Sequence, residues 1–263
     1  MSSIDVPVRK GGFGSTSRRD NWWFAPLITF LGFAGFLVYA NLRAFQGANY
    51  HWGPYLSPFY SPEIIGPSPH ALIQMATRPD WWPGFLPFSA AVLILWAPAG
   101  FRMTCYYYRG AYYKAFWADP PNCSVGEPRK SYWGERSWPL VIQNVHRYFL
   151  YVALLFIALL SWDAWKAYWF DDGFHVNLGS LVLTLNPILL GGYTLGCHSF
   201  RHLIAGRMDE MSKSPVRASA YDCVTCLNKK HMIWAWCSLL WVAFTDFYVY
   251  LCATGAFVDR RIF

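Results

Sequence analysis

Charge is the commodity this chain is short of: Asp, Glu, Lys and Arg make up 14% of its 263 residues, against 55% hydrophobic ones. So few charges cannot cover a water-soluble domain of this length, which excludes an ordinary soluble fold. Acidic residues are the scarcer sign, 15 against 22 basic, leaving a formal net charge of +7. No cleavable leader is expected, because the first ~20 residues are polar and hold no apolar core. No Gly-rich phosphate loop or dinucleotide fingerprint occurs, so the chain alone is not expected to bind flavin or nucleotide. No internal repeat is visible, which argues against repeat-built transporters. The seven cysteines lack the spacing of a secreted disulfide framework.

Long apolar runs are what the sequence does have. They cover 24–45, 86–108, 139–162, 179–205 and 230–254, each sufficient to cross a bilayer. The expected fold is all-α and integral to the membrane: one anchor domain over 1–263, a bundle of five transmembrane helices behind a flexible basic tail at 1–20. All the Lys and Arg except Arg43, Arg78, Lys166, Arg260 and Arg261 fall on one side of that arrangement. The positive-inside rule then puts the N-terminus in the cytoplasm and the C-terminus outside. Trp22, Trp23, Trp81, Trp82, Trp138, Trp165 and Trp169 fall near span ends, as an interfacial belt requires. The outer loop 46–85 is dense in proline and aromatics and reads as a cap over the bundle. The second helix is expected to run on to Pro120–Pro121, and Pro187 predicts a kink in the fourth.

Candidate metal ligands sit at one depth. At ~1.5 Å of rise per residue, Cys105, His146, the Cys197–His198–His202 group of "GCHSFRH" and His231 are expected in the cytoplasmic half, at depths that agree within ~10 Å. His51, His70 and His175 belong to outer loops. Thiols on the cytoplasmic side, Cys123, Cys223 and Cys226 included, stay reduced and free to hold metal. Cys237 and Cys252 read as small apolar packers, His202 as an interfacial histidine satisfying backbone, and "CVTC" at 223–226 as a lone pair without the second pair of a zinc site. Three groups suit these ligands. Haem b would use His146 with His198, His202 or His231, with Gly191, Gly192 and Gly196 making room. A two-iron cluster of mixed ligation would use Cys105, Cys197, His146 and His231, with Cys123 and His198 as substitutes. Structural zinc, in a scaffold or transporter, would accept the same donors. Asp246 and Asp163, ionisable groups placed in or near spans, are candidates for a proton route or a second quinone site.

The stretches "GFRMTCYYYRGAYYKAFWADPPNC", "PLVIQNVHRYF", "GCHSFRH" and "LNKKHMIWAW", with "NWWFAPLITF" and "LSPFYSP", resemble the membrane-anchor subunit of actinobacterial-type succinate dehydrogenases over nearly the whole chain. The resemblance implies a cytochrome b-like anchor in a bacterial inner membrane. It would bind a flavoprotein and an iron–sulfur subunit on its cytoplasmic face, with room for a small further membrane subunit, and pass succinate electrons to quinone. It also implies a membrane-embedded Rieske-type 2Fe-2S cluster, with Cys105, Cys123, His146, Cys197, His198 and His231 in the matching motifs. The Cys-x-His and Cys-x-x-His boxes of soluble Rieske domains are missing, so the ligands would come from separate helices. The basic face suits acidic soluble partners and anionic lipid; no nucleic-acid partner is expected. For the quinone, Arg102, Tyr106, Trp138 and Arg147 flank the proposed cluster. Successive helical residues diverge by about 100°, so only one of Cys197 and His198 can face a common centre. Cys197, paired with Cys105 or else Cys123, is the expected ligand, and His198 a neighbour.

Overall fold

The structure, a computed structural model, describes residues 12, 14–75, 77–117, 125–126, 140–206 and 209–263. Cys123 and Trp138 lie outside the described residues. Helix α1 (Phe24–Gln46) is stopped by Gly47, whose φ of 62° few other residues adopt and whose missing Cβ would stand 2.9 Å from the Phe88 carbonyl. The second apolar run forms α2 (Ala90–Ile94), α3 (Trp96–Thr104) and the start of α4 (Tyr106–Phe116), where the sequence suggested one unbroken span. Pro98 accounts for the first interruption, since it has no N–H to donate to the Ile94 carbonyl. A 3-10 turn (Leu140–Val145) leads into α5 (His146–Lys166). The fourth run likewise divides, into α6 (Leu178–Leu195) and α7 (His198–Ala205). α6 continues through Pro187, and the break falls at Gly196–Cys197. Helices α8 (Pro215–Lys229) and α9 (His231–Ala253) complete the chain.

Among the described residues four helices, α1, α5, α6 and α9, are long and apolar enough to cross a membrane. α6 is the central one: it packs on α9 and α5, α5 packs on α3, and α1 lies against α4 and α9. Outward-facing Leu31, Leu42, Tyr151, Leu155, Ile188 and Leu240 present the apolar exterior that lipid demands.

One end of the bundle carries a cap. It is built from the short hairpin β1 (His51–Trp52) with β2 (Tyr55–Leu56), the parallel pair β3 (Ile65–Gly66) with β4 (Ile73–Gln74), and the hairpin β5 (Trp169–Phe170) with β6 (Gly173–Phe174). Buried carboxylates fasten it. Asp246 on α9, wholly buried, accepts from Ser57 Oγ (2.5 Å), Tyr39 OH (2.5 Å) and Arg43 Nε (2.8 Å). Asp163 on α5 accepts from Ser61 Oγ and pairs with Lys166 Nζ at 2.8 Å. Asp259 gathers Tyr55 OH (2.6 Å), Tyr248 OH (2.5 Å), Asn177 Nδ2 (2.9 Å) and the Gly179 amide (3.0 Å), so the C-terminal tail caps the N-terminus of α6.

Candidate functional site

The helix breaks at the end opposite the cap bring the thiols together. Cys105 (φ −63°, ψ 134°) and Cys197 (φ −71°, ψ 145°) are each extended residues immediately before a new helix, α4 and α7 respectively. They are 1% and 2% exposed and belong to one buried cluster with Phe101, Tyr108, Leu150, Tyr193 and Ala235. His146 and His231 are the first residues of α5 and α9. All four donors therefore stand where helices begin. The positive ends of those helix dipoles favour thiolate and, more generally, negative charge.

The donors meet in two thiol–imidazole contacts. His146 Nε2 is 3.0 Å from Cys197 Sγ, and His231 Nε2 is 3.4 Å from Cys105 Sγ. Among the described residues no group of three or more His, Cys, Asp or Glu surrounds a single point. Thr104 fixes the tautomer of His146. Its hydroxyl donates to the Gly100 carbonyl at 2.7 Å, so toward His146 Nδ1, 2.9 Å away, it accepts. Nδ1 then carries the proton, and Nε2 presents its lone pair to the site. On His231 the buried Nδ1 has no hydrogen-bond partner.

Aromatic rings wall the imidazoles. Phe101 stacks on His146 (4.6 Å between centroids, 14°), and Tyr193 stacks on His231 (5.0 Å, 16°). The Arg102 guanidinium lies 4.8 Å over the Tyr193 ring while donating to Tyr108 OH (2.5 Å) and Ser238 Oγ (3.0 Å). Beyond this wall is an apolar cavity of about 350 Å³, lined by Phe36, Leu95, Phe101, Arg102, Ile157 and Tyr193 among others. Its size, greasy lining and few polar groups suit a small hydrophobic ligand.

The remaining candidates fall elsewhere. His198 is exposed and packs edge-on to His202, with centroids 4.9 Å apart. Tyr106 is 77% exposed, and Arg147 is exposed over the ring of Tyr148. Asp246 and Asp163 belong to the cap fastenings. Cys223, Cys226 and Cys237 are exposed, and Cys252 is buried at the cap end. The packing of Gly192 against Trp234, which a Cβ would contact at 2.5 Å, fills space read as room for a porphyrin edge. Sequence reasoning missed Thr104, Phe101 and Tyr193. The signal was present: Thr104 adjoins Cys105, and Tyr193 lies four residues before Cys197.

Comparison with known proteins gives a consistent result. Residues 24–255 match the family described as actinobacterial succinate dehydrogenase subunit SdhC. No curated protein matches the chain. Among solved structures, a chain of the Mycobacterium smegmatis Sdh1 complex in the apo form superposes with a TM-score of 0.87 at 40% identity, covering 100% of this chain and 99% of that one.

Proposed function

The chain belongs to the actinobacterial succinate dehydrogenase SdhC family, the membrane-anchor subunit of that enzyme, and from this premise we propose that it carries electrons to a membrane quinone through a Cys/His-ligated two-iron cluster. The observation that carries the reading is the two buried thiol–imidazole contacts, Cys197 with His146 and Cys105 with His231, which bring donors from four chain segments beside an apolar cavity. The donor set fits: two thiols and two imidazoles are the complement of a mixed-ligand two-iron centre, and the helix N-termini there favour its negative charge. Bound there, such a cluster supplies one-electron transfer.

The chain's own residues do the rest. Thr104 orients His146. Phe101 and Tyr193 keep water from the imidazoles and separate them from the cavity. Arg102, held by Tyr108 and Ser238, offers the cavity a fixed cation able to donate to a quinone carbonyl. The donor end faces the cytoplasm in this reading, where exposed Lys213, Lys229 and Lys230 would meet a flavoprotein and an iron–sulfur subunit and the cap would face outward. In a bacterial inner membrane, α2 to α4 supply the fifth membrane-entering segment.

The test is iron, acid-labile sulfide and electron paramagnetic resonance of the purified complex, with and without Cys197→Ser. The wild type should show a two-iron signal that the variant lacks, with two iron and two sulfide fewer per variant complex. Identical content and spectra in both, or a sharp haem band in the optical difference spectrum, would overturn the reading.

A further inference from the structure

The apolar cavity is open on one side. Its lip is formed by exposed residues, Leu37, Asn41 and Phe45 of α1 with Trp96 of α3 (62% exposed), and its floor by buried ones such as Phe59 and Tyr193 (1%). α1 is one of the helices able to cross a membrane, so the lip opens into the bilayer. The lining follows one face of α1 from Phe36 to Phe45 and runs beside α5 from Ala153 to Leu160. At ~1.5 Å per residue these stretches are ~14 Å and ~10 Å long, which makes the space a groove along the helices. A groove of about 350 Å³ has no room for a further helix, itself about 10–12 Å across, but it does accept a hydrocarbon chain. Its two polar groups have opposite roles. Arg102, at the donor end, can only donate. At the lip, Asn41 spends its amide hydrogen on the Leu37 carbonyl (2.8 Å), and among the described residues nothing donates to its oxygen. A quinone carries two acceptor carbonyls, and its quinol carries two hydroxyls that donate. Neither an acyl chain nor a phosphodiester has a proton to give Asn41, so the pair of groups suits the two redox forms of one ligand.

We propose that this groove is loaded sideways from the bilayer, with the quinone entering head-first between α1 and α3. Its ring carbonyl stops at Arg102, and its hydrocarbon tail lies along α1 and leaves over Leu37 and Phe45. Asn41 accepts a hydrogen bond from the quinol as the product withdraws, holding the reduced form at the lip and not the oxidised one. The inference deepens the quinone reading above and rests on it; the cluster's ligands do not enter it.

The experiment uses the intact complex and two photoreactive quinones, one with a diazirine on the ring and one with it at the end of a short tail. Cross-linked residues are read by peptide mass spectrometry, with and without excess unlabelled quinone. The ring probe should mark Phe101, Arg102 or Tyr193. If it marks none of them, the ring is not at Arg102 and the functional reading fails, not merely the route. With the ring so placed, the tail probe should mark α1 between Leu37 and Phe45, or Trp96, and excess quinone should displace it. Tail adducts confined to other helices would overturn the route. Adducts on α1 that excess quinone does not displace would also overturn it, by making the groove a seat for bulk lipid. The role of Asn41 is tested by Asn41→Leu, which keeps bulk and removes the acceptor. Product inhibition by the quinol should weaken several-fold, with KM for the quinone nearly unchanged. An unaltered inhibition constant, or equal changes in both, would remove Asn41 from the proposal and leave it a packing residue.

Discussion

At the scale of single residues, hydrogen-bond direction decides what an imidazole can do. Thr104 spends its proton on the Gly100 carbonyl, so it can only receive one from His146. Thr104→Val keeps shape and removes that acceptor, leaving His146 free to take the other tautomer. Partners of this kind are typically worth 10–100-fold in metal affinity. The expected outcome is roughly 10-fold weaker retention of cluster iron during chelator challenge, in a complex that still assembles; equal retention would assign Thr104 to helix packing only. The neighbours Cys197 and His198 make a second comparison. Cys197 is buried against His146 Nε2, whereas His198 is exposed beside His202. Cys197→Ser should abolish the two-iron signal, and His198→Gln should leave its intensity unchanged. Reversed phenotypes would mean that the start of α7 ligates through imidazole.

The spans of α1, α5, α6 and α9 were legible from hydropathy because lipid requires twenty or so apolar residues whatever the partners are. Breaks at Cys105 and Cys197 were not, because an extended residue between two helices is selected by tertiary contacts and leaves little local mark. Gly196 is one such mark. A Cβ there would lie 2.8 Å from the Gly192 carbonyl and 3.2 Å from Leu227 backbone, and backbone cannot step aside. Gly196→Ala should therefore displace the α6–α7 junction, and with it Cys197, lowering cluster occupancy although no ligand changes. Intact occupancy would show that the junction has slack. The cap fastenings were equally hidden, since Ser57 and Asp246 are remote in sequence and meet only in the folded chain. Asp246 also shows how an ionisable residue in a span can serve architecture. Arg43 is 5% exposed and ion-paired to it. Asp246→Asn would leave that guanidinium buried without a counter-charge, a loss of about 3–5 kcal/mol. Thermal unfolding of the detergent-solubilised complex should shift down accordingly, while the paramagnetic signal of the folded fraction, generated at the far end, should not change. A lost signal at normal stability would instead tie Asp246 to electron or proton transfer.

Over the whole molecule the two ends differ in kind. At the cap end, the carboxylates of Asp246, Asp163 and Asp259 turn inward and each accepts from a hydroxyl, while Asp80, Asp171 and Asp172 stand exposed. At the donor end the buried groups are thiols and imidazoles with the guanidinium of Arg109, and Lys229 and Lys230 are both exposed at the turn between α8 and α9. His231 follows them directly. A soluble subunit docking on these lysines would therefore sit within a turn of helix from a ligand of the proposed cluster, which is where an incoming electron is needed. Exposed charges act mainly through long-range attraction, with a reach of about 8–10 Å at ordinary salt. Reversing both, Lys229→Glu with Lys230→Glu, should weaken co-purification of the soluble subunits, more sharply at low salt than at high salt, where the wild-type attraction is already screened. The iron content of the membrane subunit itself should stay unchanged. If co-purification is unaffected at every salt concentration, these lysines serve anionic lipid, and the docking energy comes from another surface of the basic end.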